Sequence, residues 1–159
     1  MYIRITDDFD LKKIADSGQC FRAKELPGHI FRFICRENVL YLEQTGEDTY
    51  RADTTPKAWE SLWKSYFDLE RNYAKIRRGI ASGDTYLTEA AECGKGIRIL
   101  RQDPWEMLVT FIISQRKNIP AIRSAVEVLC ERYGEKIPAS HESLYAFPSP
   151  QALAAVSES

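Results

Sequence analysis

What the sequence withholds narrows its class. No run of residues approaches the length and apolarity of a membrane span, and the opening "MYIRITDDFD" has no core of consecutive apolar residues such as a secretion signal needs. The expectation is a cytosolic protein. The four cysteines, Cys20, Cys35, Cys93 and Cys130, make no CxxC pair and stand beside no histidine pair, which argues against a zinc site and a dithiol redox motif. Reduced thiols in or near the core are expected, with no metal and no cofactor. There is no internal repeat and no low-complexity segment. Nor is charge of one sign in excess: 22 basic residues face 23 acidic ones for a net charge of -1, so composition alone announces no basic nucleic-acid face.

What is present is apolar material for a sizeable core in one or two small domains: 159 residues, 44% hydrophobic and 28% charged. "DDFDLKKIADSGQCF" reads as a short extended stretch passing into a helical turn and ending at the turn signal "SGQ". "HIFRFICRE", "NVLYLEQT" and "DTYRADT" carry alternating, β-branched and aromatic residues separated by "EN" and "TGED", the pattern of successive antiparallel strands. Near Pro56 the period changes. Trp59, Leu62, Trp63, Tyr66 and Phe67 fall at helical spacings over 57–69, and a second helix is expected from near Leu69 with Tyr73 and Ile76 on its buried side. Trp59, Trp63 and Trp105 are read as core packing rather than base-stacking platforms. "ASGD" is a loop, and "TYLTEAAEC" a short helix stopping at "GKG". The boundary between sheet-rich and helix-rich parts lies near Gly83 to Gly96, giving domains 1–85 and 86–159.

The best-marked helix start is "RQDPWEMLVTFIIS". Asp103 can cap the free amides, Pro104 suits the first position, and Glu106 sits where a capping box places its acid. A helix from Pro104 to about Gln115 is predicted, apolar on nearly every face and therefore buried among other elements. After Arg116 and Lys117, "NIPAIRSAVEVLCERYG" repeats Ile122, Ala125, Val126, Leu129, Cys130 and Tyr133 at threes and fours, with Gly134 as a stop. The tail has two short helix starts. Between Lys95 and Arg123 six basic residues outnumber two acidic ones, a local excess compatible with docking on phosphates. On the residues alone Ser17-Gly18-Gln19 is an ordinary turn, and Arg116-Lys117 is open to reading as a solvated link between two helices.

Four stretches, taken together, change those readings. "SGQCFR" (Ser17 to Arg22), "YFDL" (Tyr66 to Leu69), "GIRILRQDPWEMLVTFIISQRKNI" (Gly96 to Ile119) and "FPSPQALA" (Phe147 to Ala154) stand in the order found in the 8-oxoguanine DNA glycosylase branch of the helix-hairpin-helix base-excision glycosylases, which the chain resembles over nearly its whole length. The resemblance implies an α+β fold: an antiparallel, TATA-binding-protein-like sheet domain followed by the first helices of an all-α glycosylase domain. It implies base-excision repair of double-stranded DNA containing a damaged base, by an enzyme that turns an oxidised guanine out of the duplex and cuts its glycosidic bond. Gly18 matches the glycine whose carbonyl accepts a hydrogen bond from the protonated N7 of 8-oxoguanine, where normal guanine has an acceptor; Gln19 follows in the substrate-binding motif, and Phe21 packs beneath the pocket. Arg116 falls where the family inserts a side chain into the gap left by the base, commonly asparagine, with Lys117 and Asn118 beside it and Asn118 as a helix cap. Ala121 replaces a family arginine that reads the estranged cytosine, and Arg123 is the nearest candidate to compensate.

The family's catalytic lysine, which attacks the anomeric carbon, and its aspartate follow a "PGVG"-like hairpin. The single Pro-Gly here, Pro27-Gly28, lies in the strand region. The resemblance therefore implies the N-terminal portion of a glycosylase/AP lyase, inert by itself and with apolar surface left exposed on its helical half. The alternatives are an alkyl-base glycosylase of the 3-methyladenine type, which needs no lysine, and a non-catalytic DNA-binding or protein-interaction module.

Overall fold

The computed structural model describes residues 1–80, 83–138 and 142–156. Five strands, β1 (Tyr2–Arg4), β2 (Lys24–Leu26), β3 (Ile30–Cys35), β4 (Asn38–Gln44) and β5 (Thr49–Asp53), form one antiparallel sheet in the order β1-β5-β4-β3-β2. The long central pair is in register from Ile30↔Glu43 to Cys35↔Asn38, leaving Arg36 and Glu37 as a two-residue hairpin loop. These three central strands are the alternating segments of the sequence. The edge strands β1 and β2 are additions, each only three residues long.

Period-two alternation decides what the sheet buries. Phe31, Phe33, Cys35, Leu40, Leu42, Tyr50 and Ala52 join one core with Leu11 and Ile14 of α1 (Leu11–Asp16) and with Trp59, Trp63, Tyr66 and Phe67. Those aromatics come from one helical run, α2 (Pro56–Ala58), a π-helical turn (Trp59–Trp63) and α3 (Lys64–Tyr66), with Phe67 as the residue that ends it. Edge-to-face rings fill the centre, with Phe33 and Phe67 centroids 5.0 Å apart and Trp63 and Tyr66 5.3 Å apart. The other face of β3 is covered by the small hairpin β6 (Lys136–Ile137) and β7 (Leu144–Tyr145), where Ile34 packs on Ile137 and Leu144 and buried Arg32 pairs with Glu142 at 2.6 Å.

Helices α4 (Tyr73–Arg78) and α5 (Thr85–Cys93) follow, capped by Asn72 and Asp84. The helix expected from Leu69 thus begins at Tyr73, since Asn72 is the residue that caps it. Ile76 is exposed rather than buried. Part of the "ASGD" loop, and the stretch about Ala139 where one tail helix was expected, lie outside the described residues. The remaining elements are α6 (Pro104–Ser114), α7 (Ile119–Tyr133) and α8 (Pro150–Ala154). Cys20, Cys35 and Cys130 are buried, and burial pushes the thiols of Cys35 and Cys130 up to about 12; Cys93 departs from the core expectation by being exposed.

Helix α6 inverts the expected pattern. It buries Glu106 and Thr110, while Leu108, Phe111 and Ile112 point to solvent, the last two 66% and 63% exposed. Ile113 packs on the apolar cluster Ile122, Val126 and Cys130 of α7 and Glu106 lies toward Arg22, while Leu108, Phe111 and Ile112 form an uncovered face rather than a core. Such a face binds dye and promotes weak association. The chain is expected to enhance ANS fluorescence and to sediment faster as concentration rises; Phe111→Lys should reduce both and shift stability by under about 0.5 kcal/mol. A strictly monomeric, dye-negative wild type overturns this.

Candidate functional site

Two segments far apart in sequence meet at the start of α7. The first is the turn after α1. Asp10 caps that helix by accepting from the Lys13 amide at 2.9 Å, and Ser17 closes it, its hydroxyl donating to Ile14 O at 2.7 Å. Gly18 then takes φ +78, a left-handed conformation that costs a residue with a Cβ about 1–2 kcal/mol. Space is not the constraint: a Cβ built on Gly18 meets nothing nearer than Cδ1 of Ile119, 3.7 Å away. That distance puts the turn against the first residue of α7.

Gln19 fixes the turn to the segment leading into α6. Its Nε2 donates to Arg98 O at 2.7 Å and to Ser17 Oγ at 3.0 Å, its Oε1 accepts from the Leu100 amide at 2.9 Å, and its carbonyl accepts from the Gln102 side chain. Both ends of the amide are engaged within the protein. Gln19 thus holds Gly18 in place. Phe21 is half-buried and packs against Ile122, Val126 and Cys130 of α7.

The second segment is the α6–α7 link. Asp103 accepts from the Trp105 and Glu106 amides at 3.0 and 3.2 Å, and Pro104 opens the helix, as its sequence predicts. At the far end Gln115 closes α6 and Arg116 takes φ +58, in the position after a helix where glycine is usual. Asn118 caps α7, its Oδ1 accepting from the Ala121 amide at 3.0 Å. Residues 115–121 are all exposed, and among the described residues neither Arg116 nor Lys117 is paired with an acid. The loop is an exposed, cationic stretch beside Gly18.

Elsewhere in the expected basic region Lys95 is exposed, while the arginines are engaged within the protein. Arg98 is fully buried: it donates to Asp8 O, Asp68 O and Arg71 O at 2.8, 3.0 and 3.2 Å, pairs with Asp7 at 2.7 Å, and lies 4.5 Å from the centre of the Tyr73 ring. Arg101 pairs with buried Asp68 at 2.5 Å. Arg123 is half-buried and donates to Ala15 O at 3.2 Å, tying α7 to the end of α1, so it does not reach outward to compensate for Ala121. Of the sequence-predicted set, Gly18, Arg116, Lys117 and Asn118 form one surface, and Gln19 and Arg123 hold it together.

Glu106 departs from its expected role. It makes no capping box; its side chain turns inward, where burial pushes the carboxyl up to about 7 despite the opposing charge of Arg22. The sign follows from linkage: in the unfolded chain this group ionises near 4.5, so between there and about 7 the native state holds the extra proton and stability falls as pH rises. Glu106→Gln should flatten that limb and leave the variant more stable than wild type at pH 8, by about 2–3 kcal/mol. Urea titrations at pH 5 and 8 measure it; an unchanged difference between the two pH values would count against the assignment. The signal in the sequence was a single acid inside an otherwise apolar helix.

The family described as 8-oxoguanine DNA glycosylase, N-terminal domain, matches residues 2–108. The N-glycosylase/DNA lyase OGG1 of Arabidopsis thaliana is 27% identical over 147 residues, which cover 89% of this chain and 40% of the plant protein. The 8-oxoguanine glycosylase/lyase of Clostridium acetobutylicum in its apo form is 35% identical with a TM-score of 0.91, covering 98% of this chain and 54% of that one. The same enzyme in complex with double-stranded DNA containing cytosine opposite 8-oxoG gives 34% identity and a TM-score of 0.88, over 99% and 57% of the two chains. The chain thus spans about two fifths of the plant relative and a little over half of the bacterial one. With its α+β architecture shared almost end to end, this chain belongs to the 8-oxoguanine DNA glycosylase N-terminal domain family.

Proposed function

We propose that the chain supplies the lesion-reading turn and the strand-opening wedge of a DNA glycosylase/AP lyase that removes 8-oxoguanine from duplex DNA. The observation that carries the reading is the seating of Gly18, at φ +78, against Ile119, one residue beyond the cationic loop Arg116–Asn118. A base turned out of the stack past Arg116 arrives at the Gly18 backbone without crossing the protein. There the carbonyl of Gly18 accepts from N7–H of 8-oxoguanine; guanine presents an acceptor instead and leaves a polar group unpaired, at a cost of about 1–3 kcal/mol. Arg116 fills the vacated space and offers its guanidinium donors to the widowed cytosine, and Lys117 answers a phosphate. The DNA-bound bacterial relative, solved with cytosine opposite 8-oxoG, supports this substrate class. The intact "SGQCFR" turn favours oxidised guanine over an alkylated base.

The sequence contains no counterpart of the family's "PGVG"-marked lysine and aspartate, so the chain reads the lesion without cutting. Incubated with a duplex carrying one 8-oxoG·C pair, it should bind about fivefold or more tightly than to the undamaged duplex at low salt. It should release no base and give no borohydride-trapped adduct. Equal affinity for both duplexes, or robust turnover by the chain alone, overturns the proposal.

A further inference from the structure

The α6–α7 hairpin carries a second concave site, at the end away from the wedge. Eleven residues of α6, about 16 Å of helix, separate the two. The cleft encloses about 380 Å³ between the first turn of α6, the last turn of α7 and the segment from Ala146 to Ala152. Trp105, Tyr133 and Phe147 give it aromatic walls, and Asp103, Glu106 and Glu135 supply carboxyl groups.

Glu106 decides what the cleft takes. The residue is only 5% exposed and lines the cleft. Among the described residues its carboxyl accepts no hydrogen bond and has no cation within ion-pair distance. Buried acids ordinarily have such partners, because desolvation without one is costly. Arg22 lies on the buried side, beyond ion-pair distance, with one guanidinium nitrogen spent on Tyr145 O. Asp103, by contrast, is satisfied by two amides and by Arg36 at 2.8 Å. That pair shows a guanidinium already accommodated at the rim. Trp105 is held by its indole N–H donating to Pro148 O at 2.9 Å, which fixes an aromatic face in the wall. Acid and aromatic together recognise a cation rather than an anion. Among the described residues no group of three His, Cys, Asp or Glu is arranged to hold a metal ion, which favours an organic cation.

We propose that this cleft binds a guanidinium or primary ammonium on a short aliphatic stem, its charged head on Glu106 and its stem against Trp105 and Tyr133. The groups around Glu106 are Arg22 from the turn after α1, Asp103 at the helix cap, Glu127 on α7, and Arg36, Glu37 and Glu135 around the cleft. A cation entering there favours the ionised carboxyl, so binding strengthens as pH rises through about 7. The site stands apart from the DNA reading and is tested without DNA.

The experiment titrates the ¹⁵N-labelled full chain with n-butylguanidinium and, separately, with its neutral isostere n-butylurea, following the Trp105 indole N–H. A saturable shift with the cation and none with the urea is expected, weakening about tenfold from pH 8 to pH 6 and about tenfold or more in Glu106→Gln at pH 8. If that variant's spectrum changes globally, Glu135→Gln and the urea comparison in wild type carry the test. A blocked arginine pentapeptide binding about tenfold tighter than butylguanidinium identifies a polypeptide side chain as the source; equal affinity identifies a free small cation. An equal response to the urea, or unchanged affinity in Glu106→Gln, overturns the proposal.

Discussion

Replacing Arg98 with methionine is expected to destabilise the chain by about 4 kcal/mol or more, against the roughly 5–15 kcal/mol by which a domain is stable at all. The reason is the number of partners stranded at once. The guanidinium satisfies three backbone carbonyls, on Asp8, Asp68 and Arg71, and the Asp7 carboxylate, and a methionine of similar length satisfies none. Each unpaired buried acceptor costs about 1–3 kcal/mol. Lysine is a poor rescue, since one ammonium cannot reach carbonyls spread around a planar fork. Urea unfolding followed by circular dichroism gives the number, and a loss under about 1 kcal/mol would show that the hub contributes little.

The same hub predicts acid sensitivity. Burial works to raise the Asp7 carboxyl, but amide hydrogen bonds from Ala74, Tyr73 and Asp8 and the Arg98 contact outweigh it and hold the group below its ordinary 3.8. Stability from this group is fully present above that value and is lost as pH falls through the lower folded one. In Asp7→Asn the acid limb of the stability curve should be shallower than in wild type.

How much of this was legible follows from what each signal can report. Asp103-Pro104 named a helix start because a cap and a proline act locally, and β3 to β5 were readable because alternation over five or more residues is a local pattern. Strands β1 and β2 are three residues each, too short to alternate, and owe their state to pairing with β5 and β3. The apolar content of α6 was visible; the direction it faces was not, because that depends on Arg22 and α7 lying under Glu106. Counting charges between Lys95 and Arg123 placed Arg98 and Arg101 on a binding face, when their acids, Asp7 and Asp68, lie elsewhere in the chain. Gly18 and Arg116 were found as motifs; that they adjoin is a fact of packing, carried by Ile119.

Arg116→Gly separates stability from DNA binding and has the largest expected effect on the proposed function. At φ +58 the arginine sits where a Cβ costs about 1–2 kcal/mol, and glycine relieves that cost while giving back roughly 0.5–1 kcal/mol in unfolded-chain entropy. The variant should therefore be as stable as wild type or slightly more so. A left-handed residue that is not glycine, at a site where glycine would be free, points to a side chain kept for use. Removing it takes away the planar group proposed to fill the gap, and stacking of this kind is worth about 1–3 kcal/mol per base, so affinity for the 8-oxoG·C duplex should fall about tenfold. Arg116→Lys should fall in between, keeping charge but losing the fork. Lys117→Ala should weaken damaged and undamaged duplexes alike and lower the salt slope by about one. Fluorescence anisotropy at two salt concentrations, beside urea unfolding of the same samples, reads both quantities. Wild-type affinity in Arg116→Gly removes the wedge assignment, and a loss of stability in that variant removes the strain on which the argument rests.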